Sequence, residues 1–365
     1  MSEQTRAPLA PWLARQLRAL LAQRGHAWLL QGPPGLGQFD LALALVRAWL
    51  CDAPTLALSP DPSPAERERG VNSPLPQAGE EETSIGACNQ CPSCHGIDVH
   101  THADLAVLMP EVQMIERGWP LAERAWAEIE DKKRKPSKEI RIDAMREAIE
   151  LAQRTSARGR GQAMLVFPAE RMNHVTANAL LKTLEEPPGD MRFALASEAA
   201  HLLPPTIRSR CQTHTMLWPA EDEALAWLTG QGVPAPQAAA LLRAAGGLPA
   251  QALAAHRGGL DARQWAHLPR AMLQGDAGAF KDVPLPEVVS RLQKLCHDLI
   301  AAQQGAAPRF FDAAALPPRR LSLLALTGWS KQLRQAARTA EHPLNTALAI
   351  EDLVSSAHQA LNSHA

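Results

Sequence analysis

The stretch Ala27-Trp28-Leu29-Leu30-Gln31-Gly32-Pro33-Pro34-Gly35-Leu36-Gly37-Gln38-Phe39 decides the fold. Its first four residues are apolar and suit a short buried strand. A Gly/Pro loop occupies 32–37, and the apolar pattern over 41–50 reads as a helix. Strand, glycine loop and helix in that order open a nucleotide-binding α/β domain. Just upstream, Leu13, Leu17, Leu20 and Leu21 fall on one face of a helix expected over 12–23, with Arg15 and Arg18 opposite.

The loop overlays the pattern G-x-x-x-x-G-K-[ST]. Gly32, Gly35 and Gly37 would let backbone N–H groups wrap a phosphate at a helix N-terminus. The motif's Lys then reaches the β- and γ-phosphates and its Ser/Thr holds Mg²⁺. Here those positions are Gln38 and Phe39, and the first lysine of the chain is Lys132. A hydrolysing site also needs acids at the end of a second strand. The matching run, Met164-Leu165-Val166-Phe167-Pro168-Ala169, ends in Phe and Pro, and Glu170 falls two residues too late. Hydrolysis of ATP by this chain is therefore not expected. The loop is either a helix-opening turn that binds nothing or a weak phosphate site.

Outward from this core, residues 52–87 are rich in Pro, Ser, Gly and Glu without periodicity and read as a disordered insertion. The polar stretch 131–137, with Lys132, Lys133, Arg134 and Lys135, reads as a solvated mobile loop rather than a DNA patch. The α/β pattern resumes with a helix over 142–154, a strand at 164–167, a helix over 174–186 stopped by Pro187-Pro188, and a strand at 193–196. Beyond Trp218 only helical patterns remain, at 221–229, 236–245, 249–255, 285–303, 319–338 and 345–361. With 365 residues and roughly 100–200 per domain, two or three domains are expected.

A formal net charge of −1 leaves no global field for nucleic acid, so any DNA contact must be local. Arg154, Arg158 and Arg160 are candidate phosphate contacts, although scattered arginines on an exposed loop are commoner. The polar start of the chain and the lack of an apolar run of about 20 residues give a cytoplasmic expectation with no membrane partner.

Cys88-x-x-Cys91-x-x-Cys94 can turn three thiolates toward one ion, and Cys51, just before the insertion, is the candidate fourth ligand of a structural Zn²⁺. An iron–sulfur reading needs a cysteine where Asp98 stands. His95, His100 and His102 read as surface histidines, and Cys211 and Cys296 as core thiols.

Three stretches together carry a family resemblance: the Gly32–Gln38 loop with its cysteine module, Asn178-Ala179-Leu180-Leu181-Lys182-Thr183-Leu184-Glu185-Glu186-Pro187-Pro188, and Ser209-Arg210-Cys211. The chain resembles the AAA+ clamp-loader family of bacterial DNA polymerase III, in its delta-prime branch. The resemblance implies an α/β P-loop (AAA+) domain with a parallel sheet over 1–217, a small helical lid over 218–262 and an all-α collar for oligomerisation over 263–365. It implies gamma/tau and delta subunits as ring partners, a sliding clamp, and primed DNA met through the assembled ring. It assigns Arg210 as an arginine finger acting in trans on a neighbour's ATP, where a guanidinium stabilises charge on the transferring phosphoryl group. Pro249, in Gly246-Gly247-Leu248-Pro249, stands where active relatives carry an ATP-sensing arginine. The implied role is a non-hydrolysing subunit of a DNA-directed DNA polymerase holoenzyme, helping to load the clamp without catalytic activity of its own. Two alternatives stay open: an ATP-hydrolysing gamma/tau-type subunit, and a zinc-dependent nucleic-acid-binding module.

Overall fold

A computed structural model describes residues 9–54, 86–317, 320–340 and 345–363. Residues 55–85, most of the expected insertion, lie outside the described residues, as do the polar start of the chain and 342–344. The described residues divide into two compact units, one ending at Trp218 and one beginning at Pro219.

The first unit holds, in chain order, α1 (Pro11–Leu21), β1 (Ala27–Gln31), α2 (Gln38–Leu50), α3 (Pro92–Asp98), β2 (Leu105–Leu108), α4 (Glu111–Glu116), α5 (Glu123–Glu130), α6 (Ile142–Ala152), β3 (Gln162–Val166), α7 (His174–Glu185), β4 (Met191–Ser197), the single-turn α8 (Pro205–Arg208) and β5 (Gln212–Thr215). Its five strands form one parallel sheet in the order β2-β3-β4-β1-β5. β3 is buried along its whole length and β1 for four of its five residues, so both read as continuous apolar runs, as parallel strands covered on both faces do. In register, Leu29 lies beside Leu195, and Val166 beside Leu195 and Leu108. Met145, Ala148 and Ala152 of α6 and Ala177, Leu180 and Leu184 of α7 close the core on that sheet. The expected α/β class and the parallel sheet are what the structure has.

β2 and β5, the two edges of the sheet, were not expected. Gln212-Thr213-His214-Thr215 has no apolar residue and is held by main-chain pairing to β1. Main-chain N–H and C=O groups pair whatever the side chains are, so β5 leaves little hydropathy pattern; β2, Leu105–Leu108, is apolar but only four residues long.

The second unit is helical: α9 (Glu221–Gly230), α10 (Ala235–Ala244), α11 (Pro249–Arg257), α12 (Ala262–Gln274), α13 (Leu285–Gln303), α14 (Leu323–Thr339) and α15 (Thr346–Leu361). α12 was missed. It starts on the Asp261 cap, whose side chain accepts from Arg263 N at 2.9 Å, tolerates Pro269 inside, and stops at left-handed Gly275. Polar groups stitch this unit internally. Asp298, fully buried, accepts the N–H groups of Arg309, Phe310 and Phe311 at 2.7–2.9 Å. Lys294 Nζ donates to Ala244 O at 2.8 Å, and Arg309 Nη2 to Gly246 O at 3.0 Å. Among the described residues no helix is long and apolar enough to cross a membrane.

Candidate functional site

Three clusters in the first unit hold the glycine loop, the four spaced cysteines and Arg210. The glycine loop sits at the C-terminal ends of β1 and β4, where open parallel sheets place their ligands, with Gly32 N donating to Ser197 O at 3.2 Å. Gly37 caps α2 in the left-handed region (φ 88°), and a Cβ there would stand 2.8 Å from Leu13 Cδ1. A Cβ on Gly32 would stand 2.9 Å from Met216 Cβ. Both glycines therefore have a packing reason to be glycine, independent of any phosphate.

Gln38 is buried, and its amide turns back into the loop, donating to Gly32 O at 2.8 Å and Pro33 O at 2.7 Å. It carries no positive charge to offer a phosphate. The two other departures from the motif turn out to be neighbours: the rings of Phe39 and Phe167 lie 5.4 Å apart, and Trp119 meets Phe39 edge-on at 6.5 Å. The Arg117 guanidinium lies over both phenyl rings, 4.4 Å from Phe39 and 5.1 Å from Phe167. His100 stacks on Trp119 at 3.9 Å. Where a metal-holding hydroxyl and a catalytic acid would face each other, this chain has an aromatic cluster under a cation. Glu170 does not substitute, since its carboxylate accepts from Ser197 Oγ at 2.7 Å and Glu198 N at 3.1 Å.

The second cluster gathers the four cysteines. Cys51 ends α2 and Cys94 lies within α3; the Sγ atoms of Cys51, Cys88, Cys91 and Cys94 all lie within 4.8 Å of one another. The distances from Cys51 Sγ are 3.4 Å to Cys88 and 3.8 Å to Cys91 and Cys94. A tetrahedral site with Zn–S bonds of about 2.3 Å has sulfur–sulfur edges of about 3.8 Å, so the set fits one zinc ion. Main-chain N–H groups point at the sulfurs: Cys88 N to Cys51 Sγ at 3.3 Å, Cys91 N to Cys88 Sγ and Cys94 N to Cys91 Sγ at 3.4 Å. The Gln90 N–H, with that of Cys91, pulls the Cys88 thiol down to about 6, while burial pushes those of Cys51 and Cys94 up. A divalent cation would offset that burial penalty.

Side chains brace this knuckle from outside. The buried Arg47 pairs with Asp98 and donates to Asn89 Oδ1 at 3.0 Å, and Ser93 Oγ donates to Asp52 Oδ1 at 2.7 Å. Among the described residues no histidine joins the four sulfurs. Only His95 is at the surface: His100 is half-buried on Trp119, and His102 is buried with Nδ1 accepting from Asp104 N at 3.1 Å. The expectation that all three are surface residues is corrected by packing around the knuckle. Cys296 is buried and Cys211 packs against the sheet core, and burial raises both thiols to about 12.

The third cluster surrounds Arg210, in the turn between α8 and the edge strand β5. Its Nε and Nη2 both donate to Glu185 Oε1 at the end of α7, and its Nη1 donates to Thr206 O at 2.8 Å and contacts Ser209 Oγ at 3.4 Å. Glu185 was not singled out by sequence, and no spacing rule links residues 25 apart.

The basic stretches are less free than expected. Arg134 forms a bidentate pair with Glu111 and donates to Glu128 Oε2 at 2.8 Å, while Glu111 also accepts from Ser137 N at 2.8 Å. Of the basic residues in 131–137 only the lysines are exposed. Arg154, Arg158 and Arg160 are exposed on a loop anchored by the buried Asp104, which accepts from Ala157 N at 2.7 Å and Arg158 N at 3.0 Å. Arg158 also lies 3.7 Å from Asp52, beside the cysteine knuckle.

A family model described as "DNA polymerase III, delta subunit" matches residues 76–218. The chain is 32% identical over 241 residues to DNA polymerase III subunit delta' of Pseudomonas aeruginosa, covering 66% of this chain and 58% of that protein. It is 31% identical over 254 residues to subunit delta' of Escherichia coli, covering 68% and 61%. It is 29% identical over 186 residues to DNA polymerase III subunit gamma of Buchnera aphidicola, covering 51% and 36%. The alignments thus span about three-fifths of the length of the delta' relatives.

Proposed function

Because the chain belongs to the delta' family of bacterial DNA polymerase III clamp-loader subunits, we propose that it is a non-hydrolysing member of a cytoplasmic hetero-oligomer, helping to load a sliding clamp onto primed DNA. Its partners are gamma/tau and delta subunits, and DNA is met through the assembled ring. Arg210 acts in trans on the ATP of a neighbouring subunit. The lid spans 218–262 and the collar 263–365. Cys51, Cys88, Cys91 and Cys94 hold a structural zinc ion.

The observation that carries the non-hydrolysing reading is the packing of Phe39 on Phe167 beneath Arg117. It puts apolar rings where Mg²⁺ and an attacking water need oxygen ligands. The turned-in amide of Gln38 supports the same reading. Support for the arginine role is its setting: Arg210 lies in the turn leading into edge strand β5, on a partly exposed side chain.

Similarity to a gamma subunit favours a second reading, an ATP-hydrolysing gamma/tau-type subunit. One experiment separates the two. ATP turnover is measured for the reconstituted loader with clamp and primed DNA, for the same complex carrying Arg210→Ala, and for this chain alone. The expected result is a silent chain and a complex slowed by about tenfold or more, since a single charge-stabilising donor contributes on the order of 10²–10³ in rate. Turnover by the chain alone would establish the second reading, and a mutant complex at full rate would remove the arginine role.

A further inference from the structure

Glu185 is the last residue of α7. A carboxylate there faces the negative end of the helix dipole, an unfavourable place unless a cation answers it. The cation is Arg210, whose Nε and Nη2 share Glu185 Oε1. The side chains are 32% and 46% exposed, so the pair contributes little to folding, and its value must be sought in what it does to the guanidinium.

A guanidinium has five N–H groups in a planar fork. Glu185 engages the Nε–H and one Nη2–H, the side edge of the fork. Thr206 O takes one Nη1–H at 2.8 Å. Nη1 also donates to Ser209 Oγ at a long 3.4 Å, and beyond Glu185 no other hydrogen bond of Nη2 is found among the described residues. The arginine is therefore held by its side edge, by one carbonyl and by one long hydroxyl contact; Nη2 keeps a spare N–H, and the 3.4 Å Nη1 contact is weak enough to yield to a better acceptor. Those terminal nitrogens are the edge that grips a phosphate through two parallel bonds. A free arginine must first order several rotatable bonds; one already clamped has met that cost.

We propose that Glu185 is the positioning residue for Arg210: its carboxylate fixes the side edge of the guanidinium so that the terminal edge is presented to a nucleotide phosphate bound by another chain. This rests on the reading of Arg210 as a donor in trans. Glu185 itself touches no substrate.

The test is a double-mutant cycle in the reconstituted complex with clamp and primed DNA, reading kcat and KM for ATP. Glu185→Ala is expected to lower kcat by about 2- to 10-fold, the range set by ordering one long side chain, with KM changed less than about twofold. Glu185→Gln, whose amide oxygen still accepts, should retain more of the rate. In an Arg210→Ala background, Glu185→Ala should cost nothing further. If Arg210→Ala is slow but Glu185→Ala runs at the wild-type rate, the positioning role is wrong and the donor role stands. If Arg210→Ala itself runs at full rate, the donor reading falls and this inference with it. A further loss in the double variant would mean that Glu185 acts through something other than Arg210, which also overturns the proposal.

Discussion

Replacing Phe39 by threonine would write the motif's hydroxyl back into the chain at the expense of a packed ring. Phe39 is 6% exposed and packs on Phe167, Trp119 and the Arg117 guanidinium. Truncating a buried phenylalanine to a small side chain costs about 3–5 kcal/mol, including the cavity left behind. Within that, the pairing with Phe167 accounts for about 0.5–1.5 kcal/mol beyond simple burial, and the overlying guanidinium for about 0.5–2 kcal/mol. For a unit of this size each kcal/mol lowers the midpoint by about 2–4 °C, so Phe39→Thr should melt about 6–20 °C below wild type by scanning calorimetry. It should gain no ATP turnover, because Gln38 still has no charge and β3 still ends in Phe167-Pro168. A cycle with Phe167→Ala isolates the pair, and its coupling should fall at about 0.5–1.5 kcal/mol. A Phe39→Thr protein that melts with the wild type, or a cycle that sums additively, would refute the view of these rings as one packing unit.

The remaining clusters carry two further predictions. Chain purified from zinc-containing medium should carry about one zinc by elemental analysis, and Cys51→Ser should lose most of it and unfold at lower temperature; a wild type without metal would end the zinc reading. Burial raises the Glu111 carboxyl, but Arg134 and the Ser137 N–H outweigh it and hold the group below its ordinary value of 4.5. A depressed carboxylate stabilises above 4.5 and loses that contribution as pH falls through its folded value, so the gap in melting temperature between wild type and Glu111→Gln should be constant near neutrality and shrink below roughly pH 4.5. Parallel curves down to pH 3 would show that the Glu111–Arg134 pair contributes nothing.

The sequence showed the fold where burial is two-sided and hid it where burial is partial. β1, β3 and β4 each contain an unbroken run of four apolar residues, and α6, α7 and α13 bury a regular stripe, so their positions could be read within a few residues. β5 is polar because its main chain pairs with β1 while Gln212, His214 and Thr215 make side-chain hydrogen bonds, and α12 is masked by Pro269, although Asp261, Gly275 and the spacing of Trp265, Leu268 and Met272 mark it in hindsight. The cysteine module was legible for a different reason. Short ligand spacing constrains chemistry locally, and Cys51 was bound to it by position alone, at the end of a helix whose other end is the glycine loop.

What sequence could not supply was the relation between residues far apart in the chain. Gln38, Phe39 and Phe167 read as separate losses, each removing one element of ATP chemistry. In the structure Phe39 and Phe167, 128 positions apart in the chain, are in ring contact, and Arg117 joins them from a third segment. A reversion at either ring position alone therefore has to break packing before it can rebuild a metal site. The same holds for Arg210. Its motif names the residue, but only the fold brings Glu185 to its side edge, 25 residues earlier in the chain. A helix C-terminus is a poor place for a carboxylate, and that mismatch is the local sign that Glu185 is matched to the arginine rather than to its own helix.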